Sequence, residues 1–253
     1  RFTVSRLGAI RLAVIIAAVL VIEAMCRVGW IDRFTMQPPV QIVIDLWKIL
    51  VSGKHVAAIA KTLTNAAIGF GLAVSVGILV GVLVHRRRLL RETLEPLFAT
   101  YYAIPVLAFY PLLIILFGVG DAPKITIAFM LGVIAVIVNL LNGLDRVPKV
   151  LVKTGFVVGM SPMRIVWRVT LPYAAPYLLT GIKFALAYSL IGIIGSEFIM
   201  STDGMGFEIS FAYNNFDNAT MYPLILLILL FSISINLVLS TIESRILRQR
   251  GLR

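Results

Sequence analysis

Six long apolar segments run through this 253-residue chain, and they restrict its fold more than any other feature. An α-helix needs about 20 apolar residues to cross the hydrocarbon layer of a bilayer. The segments that meet this length are residues 10–28, 56–84, 97–119, 125–144, 174–200 and 222–247. Backbone amides in lipid must bond within the protein, which favours helices. The sequence therefore predicts an all-α, polytopic membrane protein, with residues 1–253 as a single transmembrane domain.

The composition supports a lipid environment for most of the chain. Hydrophobic residues make up 60% of it and charged residues only 14%, whereas soluble domains carry about 25% charged residues. The net charge of +11 does not indicate nucleic acid, because the basic residues form short clusters between the apolar segments. The first apolar segment continues into Cys26 and Arg27 without a cleavage pattern, so we expect a retained helix rather than a signal peptide.

The positions of lysine and arginine predict how the chain crosses the membrane, because basic residues concentrate in cytoplasmic connections. Most of the 23 Lys and Arg residues fall on one side when the N-terminus is placed inside. These residues are Arg1, Arg6, Arg11, Arg86, Arg87, Arg88, Arg91, Arg146, Lys149, Lys153, Arg164, Arg168, Arg245, Arg248, Arg250 and Arg253. We therefore predict cytoplasmic N- and C-termini and a cytoplasmic connection over residues 145–173.

The connection between the fourth and fifth apolar segments contains a predicted short helix. Ser161 can cap a helix N-terminus, and Pro162 suits the first helical position, where no amide bond is lost. The helix would present Met163 and Trp167 on one side, and we expect Leu171-Pro172 to end it. Its exposed apolar side chains either lie on the membrane surface or dock into another protein, and the residues alone favour neither reading.

Residues 158–176 resemble the signature loop of the permeases of bacterial ABC importers. The resemblance lies in Val158-Gly159-Met160-Ser161 and in Leu171-Pro172-Tyr173-Ala174-Ala175-Pro176. In that family the short helix is the coupling helix, which fits a cleft on the ATPase subunit. The resemblance implies a coupling role for Gly159, Met160, Ser161, Pro162, Met163, Arg164, Trp167, Arg168, Leu171 and Pro172. Lys153-Thr154-Gly155 departs from the family's usual Glu-Ala-Ala, which leaves the details of the partner contact open.

Further short motifs resemble the subgroup of these permeases that serves nitrate, sulfonate and taurine uptake. They are Thr62-Leu63, Gly69-Phe70, Phe117-Gly118-Val119-Gly120 with Lys124, Gly181-Ile182-Lys183-Phe184-Ala185-Leu186, Glu197 and Gly204-Met205-Gly206. The resemblance covers about residues 38–245, which is nearly the whole chain.

The resemblance implies a permease subunit with a type I ABC importer-like fold in the bacterial inner membrane. Such a subunit is not an enzyme and holds no cofactor or metal of its own, because ATP and Mg²⁺ belong to the ATPase subunits. The expected partners are these ATPase subunits, a second permease copy or close relative, an extracytoplasmic solute-binding protein and membrane lipid, with no nucleic acid. The expected solute is a small organic or inorganic anion, and a neutral heterocycle is the alternative.

Several residues are candidates for the solute pathway or for contact with the binding protein. They are Tyr101, Tyr102, Asn139, Ser189, Glu197, Gly204 and Gly206. Glu197, near the outer end of the fifth segment, either has such a role or is solvated among lipid headgroups. Tyr101 and Tyr102 either line a third segment kinked at Pro105 or lie at the membrane interface. Lys183 either attracts an anion or extends its amine to the interface.

Two of the apolar segments carry small residues at helical spacing. They are Asn65, Gly69, Ala73, Gly77 and Gly81 in the second segment, and Gly181, Ala185, Ser189, Gly192 and Ser196 in the fifth. Such stripes let neighbouring helices approach closely in lipid, so they predict helix packing more than a solute path.

The sequence lacks a constellation that supports catalysis. It has no phosphate-binding loop with Gly-Lys-Ser/Thr, and its two histidines, His55 and His85, are predicted at opposite membrane faces. A secondary transporter or channel is a second hypothesis, and it predicts charges paired inside the membrane or inverted repeats. The central parts of the apolar segments show neither feature, and a membrane-embedded enzyme is disfavoured by the missing catalytic set.

Overall fold

The computed structural model describes residues 6–32 and 34–249, and within these ranges it is helical and without a β-strand. The helices are α1 (Arg6–Val28), α2 (Pro39–Ser52), α3 (Val56–Arg86), α4 (Arg88–Tyr101), α5 (Tyr110–Phe117), α6 (Asp121–Asp145), α7 (Lys149–Val157), α8 (Pro162–Ile165), α9 (Leu171–Met200), α10 (Met205–Asn214) and α11 (Asn218–Gln249). A 3₁₀ turn at Val106–Phe109 precedes α5, and a π-helical turn at Val166–Thr170 joins α8 to α9. Arg1, Arg250 and Arg253, which enter the orientation prediction, lie outside the described residues.

Five helices in the described part of the chain are long and apolar enough to cross a membrane. They are Gly8–Val28, Val56–Arg86, Asp121–Asp145, Pro162–Met200 and Asn218–Arg245. A sixth crossing results if α4 and the segment Val106–Phe117 form one broken span. The predicted all-α, polytopic fold of about six spans is confirmed. We call the end with residues 85–91 and 145–173 the inner end, and the end with residues 201–217 the outer end.

Residues 97–119 form a broken rather than a continuous helix. α4 ends at Tyr101, and helical structure resumes at Val106 in a direction bent by 90°. Pro105 has no amide hydrogen and disfavours a helical conformation at the residue before it. The break therefore falls where the sequence predicts a kink, and it leaves the side chain of Tyr102 exposed at the turn.

α6 is the central helix, and α3 and α9 pack against it through the two stripes of small residues. All ten residues of these stripes are buried. A side-chain carbon on Gly69 would lie 2.7 Å from Cβ of Ala128, and one on Gly77 would lie 2.7 Å from Cβ of Val136. Helices at this separation gain dispersion contacts, which drive association where no hydrophobic effect operates. The stripes thus form the packed interior of the bundle.

α1 and α11 lie at the periphery: most of the described side chains of α1 are exposed, and those of α11 are mostly exposed or partly buried. The short amphipathic helix α2 connects them at the outer end. Glu23 of α1 accepts a hydrogen bond of 3.0 Å from the Val40 amide, and Leu46 of α2 is buried against Leu224 and Leu227 of α11. The exposed apolar side chains face either lipid or a second protein chain, because water does not solvate them favourably.

Candidate functional site

The connection at the inner end forms a compact turn followed by a continuous helix. Gly159 has a φ of +78°, which glycine adopts without strain. Ser161 accepts a hydrogen bond from the Arg164 amide at 3.4 Å and caps α8, with Pro162 at the first helical position. The helix thus starts where the sequence predicts.

The predicted end of this helix is wrong. Leu171-Pro172 does not stop it, because a π-helical turn carries the backbone from α8 directly into α9. Pro172 occupies the first turn of α9, and the π-helical turn before it accommodates the absence of the amide hydrogen that proline lacks. Leu171 is buried against Leu140 and Leu144 rather than exposed. Residues 162–170 and the fifth span therefore form one continuous helix.

One side of this segment is anchored and another is exposed. Ile165 is buried, and its Cγ1 lies 2.9 Å from where a Cβ on Gly155 would be, so Gly155 permits the close packing of α7 against α8. Met163 is 52% exposed and Trp167 is 62% exposed. Large apolar side chains at this exposure indicate a surface that another molecule covers. Arg164 and Arg168 are also exposed.

A polar network ties three helices together beneath this segment. The Arg91 guanidinium of α4 donates to Asp145 of α6 at 2.6 Å, and Nδ1 of His85 on α3 lies 3.4 Å from the same carboxylate. Arg91 also pairs with Glu95 at 3.1 Å. Sequence reasoning missed this network, because its members lie far apart along the chain.

At the outer end, Glu197 is fully buried, which overturns the reading that it is solvated among headgroups. Its Oε2 accepts hydrogen bonds from the Thr62 hydroxyl at 2.7 Å and from the Gly206 amide at 3.0 Å. The Thr62 oxygen also accepts the Met205 amide at 2.7 Å. A side chain on Gly204 would overlap the carboxylate. We call Thr62, Glu197 and residues 204–206 the outer clasp, which joins α3, α9 and α10.

A second cluster of charges lies beside the outer clasp. Lys124 is almost fully buried, and it bonds to Asp203 and, at 3.1 Å, to Ser201. Asp121 lies 2.6 Å from Lys61 and accepts the Asn65 amide at 2.9 Å. These contacts connect α3, α6 and the segment before α10. The motif Gly204-Met205-Gly206 and Lys124 mark this region in the sequence. The contacts of Lys124 with Ser201 and Asp203 were not predictable.

The structure separates the candidate pathway residues. Tyr102 is exposed, and its ring lies 6.5 Å from that of Tyr188 on α9, which lies 6.4 Å from that of Phe184. We call Tyr102, Phe184 and Tyr188 the aromatic surface. Sequence reasoning missed Phe184 and Tyr188, although their spacing places them on one face of a helix.

The other pathway candidates do not join this surface. Tyr101 is partly buried and donates to the Met130 carbonyl at 3.1 Å. Asn139 donates to the Ala135 carbonyl of its own helix at 2.8 Å. Ser189 is fully buried and donates to the Ala128 carbonyl at 3.2 Å. Each of these side chains uses its polar group within the α6 bundle.

A charge pair links α9 and α11 toward the inner end, outside the central parts of the spans. Lys183, in the inner half of α9, bonds to Glu243 and, at 2.9 Å, to Ser240 of α11. Its amine therefore has partners within the protein and is not free to attract an anion. Partners on a neighbouring helix satisfy a charge that is costly in lipid. Among the described residues, no group of three or more His, Cys, Asp and Glu side chains is placed to hold a metal ion.

Sequence relatives and solved structures resemble the chain over most of its length. The nitrate import permease protein NrtB of Leptolyngbya laminosa is 26% identical over 217 residues, which cover 82% of this chain and 78% of the relative. The taurine transport system permease protein TauC of Escherichia coli is 29% identical over 187 residues, covering 72% and 68%. The bicarbonate transport system permease protein CmpB of Synechococcus elongatus is 35% identical over 153 residues, covering 60% and 55%.

The fold has a counterpart among solved structures. A chain of the MetNI methionine ABC transporter, solved in inward-facing conformations, superposes with a TM-score of 0.67 at 20% sequence identity. The match covers 76% of this chain and 95% of that chain. The family described as "Binding-protein-dependent transport system inner membrane component" matches residues 73–248, which is more than half of the chain. The chain therefore belongs to this family, the inner-membrane permeases of ABC importers, and is a multi-pass transport component rather than an enzyme.

Proposed function

We propose that two copies of this chain form the membrane pathway of an importer for a small anion. ATPase subunits drive the importer by binding α8 and the π-helical turn, residues 162–170, which we call the coupling segment. Family membership implies an ATPase and a binding protein as partners. The observation that carries the proposal is the exposed pair Met163 and Trp167 on a helix continuous with a transmembrane span. ATP and Mg²⁺ then reside on the ATPase subunits.

The continuity of the helix supports a lever mechanism. Because no loop separates the π-helical turn from α9, a displacement at Trp167 moves the whole span. The 30 residues of α9 extend about 45 Å at 1.5 Å per residue, enough to cross a bilayer. The outer end of the lever is Glu197, which the outer clasp fixes to α3 and α10. The clasp connects α9 to residues 204–218, and we propose that the binding protein docks there.

A second permease copy is proposed because this chain alone leaves large apolar surfaces uncovered. Of the aromatic surface, Tyr102 and Phe184 are exposed and Tyr188 is partly buried. A homodimer would cover part of this area and place two aromatic surfaces opposite each other, with a solute path between them. Tyr102 and Tyr188 would then contact the solute, whereas Ser189 and Asn139 would maintain helix packing.

The relatives' names support a solute with an anionic group, since they denote permeases for nitrate and bicarbonate, which are anions, and for taurine, which carries a sulfonate group beside its ammonium group. A specific observation favours a second candidate, a neutral planar solute carried by the same permease. Aromatic rings line the exposed surface, and the nearby Lys183 is neutralised by Glu243. Small-molecule analysis of the purified partner binding protein separates the two: a bound anion supports the first and a bound neutral ring compound the second.

The coupling role is tested in vesicles that contain the permease, its ATPase and its binding protein. Truncation of a central interface tryptophan costs about 2 kcal/mol, or about thirtyfold in affinity. We therefore expect Trp167→Ala and Met163→Ala to reduce solute uptake and the response of ATP hydrolysis to the binding protein, with normal membrane insertion. Leu89→Ala is the matched control, because Leu89 is also exposed at the inner end but lies on α4. Full uptake in both variants would refute the coupling role.

A further inference from the structure

A groove of about 540 Å³ opens at the inner end, between α7 and the ends of α3 and α6. Its apolar part includes Val152 and Phe156 of α7, Leu144 of α6 and Ile165 of α8. Its polar part consists of His85, Arg86, Asp145, Lys149, Lys153 and Thr170. The groove therefore combines an apolar floor with a predominantly basic rim, at the level where two spans end.

The three cations of the rim are not neutralised by the protein. Arg86, Lys149 and Lys153 are exposed, and in the described part of the chain no ion pair includes any of them. The only carboxylate that lines the groove, Asp145, already bonds to Arg91 at 2.6 Å and lies 3.4 Å from His85. The groove consequently has a local excess of positive charge, which attracts an anionic group.

We propose that this groove binds the phosphate headgroup of an anionic phospholipid from the cytoplasmic leaflet. Arg86, Lys149 and Lys153 contact the phosphate, and the first methylenes of the acyl chains lie against Val152 and Phe156. Basic pockets between spans on the cytoplasmic side bind such headgroups, and each nearby cation contributes about 1 kcal/mol. The proposal rests on the cytoplasmic placement of residues 145–173 that the proposed function requires.

The groove and the side chains that we propose contact the ATPase lie on different sides of the coupling segment. Pro162, Ile165 and Val166 line the groove, whereas Met163 and Trp167 do not. The coupling segment therefore presents one side to the lipid and another to the ATPase. Because α7 and α8 both contribute walls, a bound lipid bridges them and fixes the orientation of the coupling segment. An acidic segment of the ATPase would satisfy the same cations, and the experiment below distinguishes it.

The test is lipid binding to the purified full-length permease in neutral detergent, without the ATPase, measured by native mass spectrometry. We expect the permease to retain phosphatidylglycerol in preference to phosphatidylcholine, and less of it at high salt because surface charges are screened. Lys149→Gln and Lys153→Gln should each weaken phosphatidylglycerol binding about fivefold, the equivalent of about 1 kcal/mol. Arg87→Gln is the matched control, since Arg87 is exposed beside Arg86 but does not line the groove.

Three results would overturn the proposal. The first is equal binding of phosphatidylglycerol by Lys149→Gln, Lys153→Gln and Arg87→Gln. The second is displacement of the lipid by millimolar inorganic phosphate, which would mean that the groove takes a free anion. The third is anionic-lipid binding only at other sites, together with cross-links from Lys153 to the ATPase in a parallel experiment on membranes that contain both proteins. Equal lipid binding by the three variants refutes this inference only, whereas full uptake in both Met163→Ala and Trp167→Ala refutes the proposed function only.

Discussion

A methyl group added at Gly206 tests the outer clasp most sharply. Gly206 lies in the first turn of α10, where alanine ordinarily stabilises a helix by about 0.5–1 kcal/mol relative to glycine. Here a Cβ would lie 2.5 Å from the Ile194 carbonyl oxygen, 2.6 Å from Cβ of Glu197 and 3.0 Å from the Phe198 amide nitrogen. Two of these are backbone atoms of α9, which cannot move aside without shifting the helix. We therefore expect Gly206→Ala to destabilise the protein, although alanine ordinarily stabilises a helix relative to glycine.

The expected change in the free energy of unfolding of Gly206→Ala combines two losses and one gain. Overpacking costs about 2 kcal/mol, and losing the hydrogen bond from the Gly206 amide to a buried carboxylate costs about 2 kcal/mol more. The gain in helix propensity returns about 1 kcal/mol. The net destabilisation of about 3 kcal/mol corresponds to a melting temperature lower by about 6–12 °C for a chain of this size.

The assay is thermal unfolding of the purified permease in detergent, with Gly71→Ala as the control. Gly71 is also helical, but nothing lies within 4 Å of a Cβ built there. We expect Gly71→Ala to melt at or above the temperature of the wild type and Gly206→Ala to melt well below it. If the two variants melt at the same temperature, the clasp does not hold α10 against α9.

Three further outcomes are expected. Thr62→Val removes the donor to Glu197 and leaves the Met205 amide without its acceptor, so it should destabilise the clasp by about 1–3 kcal/mol and increase proteolysis within residues 201–217; an unchanged cleavage rate would contradict this. Glu243→Ala removes the carboxylate partner of the Lys183 amine and leaves it only the Ser240 hydroxyl, so it should cost an amount near the lower end of about 3–5 kcal/mol, with Lys183→Met in the same chain restoring most of it; additive losses would contradict the pair. Burial raises the pKa of Asp45, but hydrogen bonds from one lysine and two glutamines outweigh it and set that pKa below its usual value, so its stabilising contribution is present above the unfolded pKa and lost as the pH falls through the lowered folded pKa. The stability difference between wild type and Asp45→Asn should therefore be largest near neutral pH and shrink only in acid, and a difference that grows in acid would contradict this.

Features that depend on neighbouring residues were predictable from the sequence. The cap at Ser161 and the proline at position 162 are local, and the structure contains both. The small-residue stripes were also predictable, because their spacing alone places them on one helix face. The break at Pro105 was predictable in position, but its 90° angle was not, since tertiary packing determines the direction of the chain after a break.

Features that depend on distant partners were not predictable. Thr62 and Glu197 are separated by 135 residues, and a sequence contains no signal that their side chains meet. Lys183 looked unpaired because its partner, Glu243, was assigned to the cytoplasmic tail rather than to the inner part of α11. The prediction that Leu171-Pro172 ends the helix failed because proline also fits a first helical turn, and the π-helical turn before it supplies that position.

The most direct test of the central claim is cysteine cross-linking at the coupling segment. Cys26 is the only cysteine of the chain, so a Cys26→Ala background allows a single probe at position 163 or 167. In membranes that contain the permease and its ATPase, Met163→Cys and Trp167→Cys should cross-link to the ATPase and resist modification by an impermeant thiol reagent added outside. Modification of either cysteine by the reagent added outside would contradict the account. It would also be contradicted if neither cysteine cross-links to the ATPase, so that both behave like the control Leu89→Cys.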